Sequence, residues 1–391
     1  MTAPVGFSAA DVPLSGSRAT QNAERAAGLY VHVPFCLTRC GYCDFNAYAG
    51  MDHLAGRYVV ALRREASLAA PAWEGVPFVS VFVGGGTPTT LPADALGDLL
   101  DVFRERLALG AKAEITVESN PDTVDADYLR RLRERGVTRV SFGLQSFDPV
   151  VLAALERIHT AEAAVRTFEA AREAGFGNVN LDLIYGADGE TLDSWRRTLE
   201  STIELGPEHV SAYALTIEPN TMLGRRVAAG EVPAPDPDLQ AEMYDAACQA
   251  LGAAGYEHYE VSNWALPGRE CVHNMGYWEG RPYLGLGAGA HAFRDGRRWW
   301  NLKPPTQYLE EVEAGRPPIG GEERLTEDDL ALERLLLGLR VARGVPEGWI
   351  PGPVARDFAD RGLARLRAGR FALTDRGMLL ANEVVLAAVG R

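Results

Sequence analysis

Six short apolar runs, each ending in a polar or glycine-rich segment, limit the folds open to this chain more than any other feature. They cover 29–33, 78–83, 114–117, 139–142, 178–184 and 210–215. Their Val, Ile, Leu and Phe content is that of strands buried on both faces. The segments between them, roughly 51–70, 93–106, 125–135, 161–174 and 191–205, read as helices. A further one from Asp238 carries Leu239, Met243, Ala247 and Leu251 as an apolar stripe. This alternation predicts parallel βα units with right-handed crossovers. Six units fall short of a closed eight-stranded barrel, so the expected class is α/β with an open or partial (βα)6 barrel. In such folds chemistry gathers at the C-terminal ends of the strands.

Each unusual polar segment lies at such an end. The first run leads into Phe35-Cys36-Leu37-Thr38-Arg39-Cys40-Gly41-Tyr42-Cys43-Asp44-Phe45, and the second into Gly84-Gly85-Gly86-Thr87-Pro88-Thr89. Glu118-Ser119-Asn120-Pro121 follows the third and Gly143-Leu144-Gln145-Ser146 the fourth; the fifth ends as Asp182-Leu183-Ile184-Tyr185-Gly186, the sixth at Tyr213-Ala214. The spacing C-x3-C-x2-C sets three thiolates on one tight loop. Iron–sulfur cubes are normally held by four cysteines. Three leave one iron open, which is how a metal site does chemistry rather than only holding a fold. Structural zinc would need a second cysteine or histidine pair, yet Cys248 and Cys271 are isolated. Five cysteines, an odd number, make no disulfide scaffold. Glycines at 84–86 let backbone approach a ligand with no Cβ in the way. Asp182, inside an apolar strand, is costly unless paired or hydrogen-bonded.

With 391 residues, 47% hydrophobic and 24% charged, the chain has an ordinary globular composition. The net charge of −14 disfavours nucleic acid and anionic membranes as partners. No apolar run approaches the ~20 residues needed to span a bilayer. Residues 1–27 lack a signal peptide's apolar core and read as a mobile leader. Free cysteines without an export signal point to a reducing cytoplasm. Residues 28–264 form the expected core. From 265 the style changes: Asp295-Gly296 reads as a hairpin turn, Thr326 with Asp329 as a helix N-cap, and 370–377 as a strand and turn before a last helix. A smaller α+β, winged-helix-like domain is expected over 265–391.

The stretch Tyr30-Val31-His32-Val33-Pro34-Phe35-Cys36, the cysteine loop, the Gly-Gly-Gly-Thr-Pro-Thr segment and the strand ending at Gly186 together resemble the radical S-adenosylmethionine superfamily. The likeness is to the branch of oxygen-independent coproporphyrinogen III dehydrogenase and its heme-chaperone relatives, over about residues 28–382. It implies a 4Fe-4S cluster on Cys36, Cys40 and Cys43, with S-adenosylmethionine on the open iron. Reductive cleavage to a 5′-deoxyadenosyl radical is then the cofactor's own chemistry. The resemblance sets Gly85, Gly86 and Thr87 against S-adenosylmethionine, and Tyr30 and Tyr42 beside the cluster or ligand. Gln145, Arg157 and Asp182 match further cofactor-contacting positions, and Ala214 a backbone contact. Glu118 could pair with a charged or polar group of the ligand. Arg157 alone would read as a helix-surface salt bridge.

Two departures separate the branches. The dehydrogenases carry a further cysteine two residues after the third, where this chain has Phe45. In addition, His273-Asn274-x-x-Tyr277-Trp278 resembles the HNxxYW motif of heme chaperones. Imidazole is a standard heme ligand and flat aromatics pack on porphyrin faces. His273, beside Asn274, is therefore the candidate heme contact, with Tyr277 and Trp278 as apolar wall. A buried histidine hydrogen-bonded between domains stays open as the alternative, and His291 with the 297–300 hairpin reads as solvated. The expected function is a chaperone that binds heme and delivers it to apo-cytochromes or other respiratory proteins. Peripheral membrane contact and a homodimer are compatible with that reading. The runner-up is the porphyrinogen dehydrogenase, disfavoured by Phe45; a winged-helix DNA-binding protein is disfavoured by charge.

Overall fold

The expected strands form with boundaries moved by a few residues in the computed structural model, which describes residues 26–390. The leader expected over 1–27 lies outside the described residues except for Ala26 and Ala27, and Ala27 opens the first strand. Strands β1 (Ala27–Val33), β2 (Phe78–Gly85), β3 (Leu109–Ser119), β4 (Arg139–Gln145), β5 (Val179–Tyr185) and β6 (His209–Ala214) pair in that order, all parallel. Helices α1 (Ala55–Ala69), α2 (Ala93–Arg106), α3 (Ala126–Glu134), α4 (Ala161–Glu173) and α5 (Leu192–Leu205) connect them, and α6 (Pro237–Ala253) follows. Asp125, Thr160 and Asp236 each accept a backbone N–H of the turn they cap, and Thr191 with Ser194 forms a reciprocal capping box.

The two faces of this sheet differ in chemistry. Leu29, Val31, Val81, Val117, Val140, Leu181 and Val210 share one core with the helix residues Leu62, Phe103, Phe168 and Trp195. Side chains alternate along a strand, so the intervening residues face the other way. On that side the register aligns Glu118 with Ser141, Gly143 with Asp182, and Asp182 with Ser211. Thr116, Ser141, Asn180 and Ser211 are buried there. Withdrawn polar groups must find partners or hold a ligand. This polar face positions the site.

Beyond β6, strands β7 (Glu257–Glu260) and β8 (Asn263–Ala265) add antiparallel pairs. Helix α7 (Val272–Trp278) then packs against β1 and β2. The chain returns as β9 (Tyr283–Leu286), parallel to β1, and a meander of β10 (His291–Arg294), β11 (Arg297–Asn301) and β12 (Ile319–Arg324) completes a twelve-stranded sheet. Asp295 and Gly296, at φ 52° and 71°, form the tight β10–β11 turn. The sheet stays open, with β12 and β7 at its edges. A division at residue 264 therefore falls within one sheet, because the later chain comes back to pair with β1.

A second apolar core contains Leu335, Phe358, Phe371 and Val384. It is built from α8 (Glu327–Gly338), α9 (Gly352–Asp360), α10 (Ala381–Ala388) and a small sheet of β13 (Val345–Pro346), β14 (Ala364–Arg367) and β15 (Arg370–Leu373). Thr326 and Asp329 cap α8 reciprocally, as the sequence predicts. Among the described residues no helix is long and apolar enough to cross a membrane.

Candidate functional site

After β1 the chain pairs Phe35 and Cys36 with Tyr48 and Ala49, a two-residue ladder that closes the cysteine loop at its base. Cys36, Cys40 and Cys43 are free, half-buried thiols. All three line one open cleft at the C-terminal ends of β2 to β5. Tyr42, Gly85, Gly86, Thr87, Glu118, Gln145, Arg157 and Asp182 share its walls. Eight of the ten expected cofactor residues thus meet the three cysteines in one place.

Two donors reach the sulfurs. Thr87 Oγ1 donates to Cys36 Sγ at 3.7 Å and Arg157 Nη1 to Cys40 Sγ at 3.4 Å. Arg157 also donates to Asn120 Oδ1 at 2.7 Å and to the Gly143 carbonyl at 2.9 Å. It is therefore an internal strut rather than a surface ion pair. Asn120 Nδ2 donates to Thr87 Oγ1 at 3.1 Å, which joins the Cys36 and Cys40 sides through one polar chain. Burial pushes the Cys36 and Cys43 thiols up. Metal binding here would displace protons from neutral thiols.

The glycine segment lies directly on the cysteine loop. Gly86 N–H donates to the Val33 carbonyl at 2.8 Å and Thr87 N–H to that of Phe35 at 2.7 Å. A Cβ on Gly86 would meet the Phe35 carbonyl oxygen at 2.6 Å and Cys36 Sγ at 3.0 Å. Gly85 sits at φ 112°, where glycine is favoured, and its N–H donates to Glu118 Oε2 at 3.2 Å.

Desolvation first, then the nearby Asp182 charge, push Glu118 up to about 8. Desolvation also raises Asp182, although Ser141 Oγ and Asn180 Nδ2 donate to it at 2.9 and 2.8 Å. Two carboxyls that resist ionising together favour a cation between them. Gln145 Oε1 and Arg157 Nε are shielded from solvent without a partner among the described residues. Gln145 moreover holds φ 69°, a strain that marks ligand sites. Thiols for iron, a backbone cradle, orphaned polar atoms and paired carboxyls fit a cluster carrying a cationic, amino-acid-bearing nucleotide.

A model of the radical SAM superfamily matches residues 30–202. The chain is 44% identical over 371 residues to heme chaperone HemW of Mycobacterium tuberculosis, covering 93% of this chain and 95% of that protein. It belongs to the HemW heme-chaperone family. HemW of Bacillus subtilis is 36% identical, with 92% and 98% of the two chains covered. Among solved structures, coproporphyrinogen III oxidase HemN of Escherichia coli, described as a radical SAM enzyme, matches with TM-score 0.80 at 26% identity over 96% of this chain and 94% of that one. The fold is thus the radical SAM α/β fold with an unclosed barrel. The family implies a 4Fe-4S cluster and S-adenosylmethionine, which the donor set above fits.

The remaining expected residues lie elsewhere. Tyr30 hydrogen-bonds His32 Nδ1 at 2.9 Å and stacks on Phe82, while Ala214 ends β6 exposed; neither lines the cysteine cleft. On α7, the buried His273 shares a hydrogen bond with Ser80 Oγ through Nδ1 and with Tyr277 OH through Nε2, both at 2.9 Å. Its ring stacks on Phe82 at 5.2 Å, and burial lowers its pKa to about 3. Iron coordination by His273 would require one of these bonds to break. Asn274 and Trp278 are half-buried on the same helix, and Tyr277 lines a different cavity.

Sequence reasoning missed Asn120, Ser141, Asn180 and Glu156. Asn120 stood within a flagged strand end, and Ser141 and Asn180 alternate with apolar residues, a period-two signal. Glu156 Oε2 accepts from Gly41 N–H at 2.9 Å across 115 residues, a contact with no local signature.

Proposed function

We propose that this chain is a heme chaperone, which binds heme and delivers it to apo-cytochromes or other respiratory hemoproteins in a reducing cytoplasm. Cys36, Cys40 and Cys43 would hold a 4Fe-4S cluster, with S-adenosylmethionine against Gly85, Gly86 and Thr87. When bound, that pair supplies one-electron chemistry. The chain's own groups fix the loop: Arg157 and Thr87 donate to sulfur, Asn120 ties them together, and Glu118 with Asp182 offers a counter-charge.

The observation that carries the reading is Phe45. It lines the cysteine cleft and is 62% exposed, at the position where the dehydrogenase pattern has its further cysteine. The likeness to the HemW heme chaperones supports the same conclusion. The test is anaerobic reconstitution followed by two assays on one preparation. Hemin should produce a Soret band, and coproporphyrinogen III should be recovered unchanged. Formation of protoporphyrinogen would move the reading to the dehydrogenase.

A further inference from the structure

Apart from Tyr42 and Phe45, the cysteine cleft is walled by small and polar groups and suits a nucleotide better than a porphyrin. A second, partly open cleft of about 1220 Å³ lies between the β10–β11 hairpin and α8. Tyr277, Tyr283, Phe293 and Trp300 line it, with ring centroids 4.8 Å apart for Tyr277–Tyr283 and 6.2 Å for Tyr283–Phe293. Leucines of α8 face them. His291 is exposed in this cleft and stacks on Trp300 at 5.6 Å and 27°. In contrast to His273, its ring makes no hydrogen bond among the described residues. Arg334 of α8 lines the same cleft and forms no ion pair among the described residues, whereas Arg298 is tied to Glu323 and Glu333.

A heme needs aromatic and apolar walls for the macrocycle, a nitrogen ligand for iron and a cation for a propionate. This cleft offers all three. We propose that heme binds between the β10–β11 hairpin and α8, with His291 as axial ligand and Arg334 paired to a propionate. The proposal rests on the heme-chaperone reading and locates its ligand. It also gives α7 a part: His273 fixes the Tyr277 hydroxyl, and Tyr277 forms a wall of the cleft. Burial, then the Lys303 and Arg298 charges, hold His291 below its ordinary pKa, so its imidazole is neutral, the ligating form.

The experiment titrates hemin anaerobically into cluster-loaded full-length wild type, His291→Ala and Arg334→Glu. His291→Ala should bind at least about tenfold more weakly, with a displaced Soret band that millimolar imidazole restores. Arg334→Glu should weaken binding severalfold with the band unmoved. Because both side chains reach solvent, iron content and melting should match wild type. Wild-type affinity and spectrum in His291→Ala would overturn this site while leaving the heme reading intact. A folded His273→Ala that loses the band while His291→Ala keeps it overturns it too. A wild type that binds no hemin overturns both.

Discussion

The cysteine loop and the His273 helix occupy opposite ends of the same parallel strands, and their ligand-type side chains are held in opposite ways. At the C-terminal ends, beside Gly85 and Glu118, three thiols face an open cleft with two donors aimed at sulfur. At the other end His273 is wedged against Gly28, Ser80 and Phe82 with both ring nitrogens engaged. Active groups of α/β folds collect at the first end, and packing dominates the second. A motif therefore names residue types, while position along the strand decides whether they bind or brace.

The sharpest way to break this contrast is to mutate both ends. Cys36→Ala, Cys40→Ala or Cys43→Ala should each abolish the cluster, read as at least about a tenfold loss of iron and visible absorption after reconstitution, with little change in melting. His273→Ala should do the reverse, costing about 2–4 kcal/mol of stability by denaturant titration while the folded fraction keeps its iron. Iron loss in folded His273→Ala would erase the distinction.

A smaller effect separates two glycines of the cradle. Gly86→Ala drives a Cβ into the Phe35 backbone carbonyl, whereas on Gly84 the Cβ meets first the Glu118 carboxylate, a movable end, at 2.6 Å. By calorimetry, S-adenosylmethionine affinity should fall about tenfold or more for Gly86→Ala and less for Gly84→Ala. Equal losses would mean that Glu118 is as rigid as backbone. Smaller again is the effect of Arg157→Lys, which keeps the charge but cannot bridge Cys40, Asn120 and Gly143 together. The cluster should still assemble but bleach severalfold faster on exposure to air.

The last effect is one of pH. Glu118 titrates near 8 when folded against 4.5 ordinarily, so between those values the folded chain keeps a proton that the unfolded chain has lost. Stability of the cluster-free chain should therefore fall as pH rises through that window, by at most about 1.4 kcal/mol per unit for one proton. Glu65, Glu190 and Glu260, each raised to about 7 by burial, contribute to the same slope. Glu118→Gln should flatten it by its share. An unchanged slope would show that Glu118 is solvated.

The six parallel strands and the meeting of their polar ends were legible because both signals are local: apolar period, then a glycine or polar stop. The return of β9 was not. Leu284 pairs with Leu29 across about two thirds of the chain, and a strand reading Tyr-Leu-Gly-Leu carries little pattern of its own. The polar lining of the sheet was half legible: Asp182 stood out, while Ser141 and Asn180, which satisfy it, looked ordinary. The HNxxYW likeness pointed to the right region, but no sequence shows that Ser80 and Tyr277 occupy both nitrogens of His273. His291 read as solvated because its facing wall, α8, arrives only after β12.

The central claim is that the cluster and heme sites are separate clefts. Hemin titration of the Cys36→Ala, Cys40→Ala, Cys43→Ala triple variant tests it most directly. The account predicts no cluster absorption, yet a Soret band at the wild-type position and an affinity within about twofold of wild type. Heme binding that disappears together with the cluster in a folded variant would contradict it.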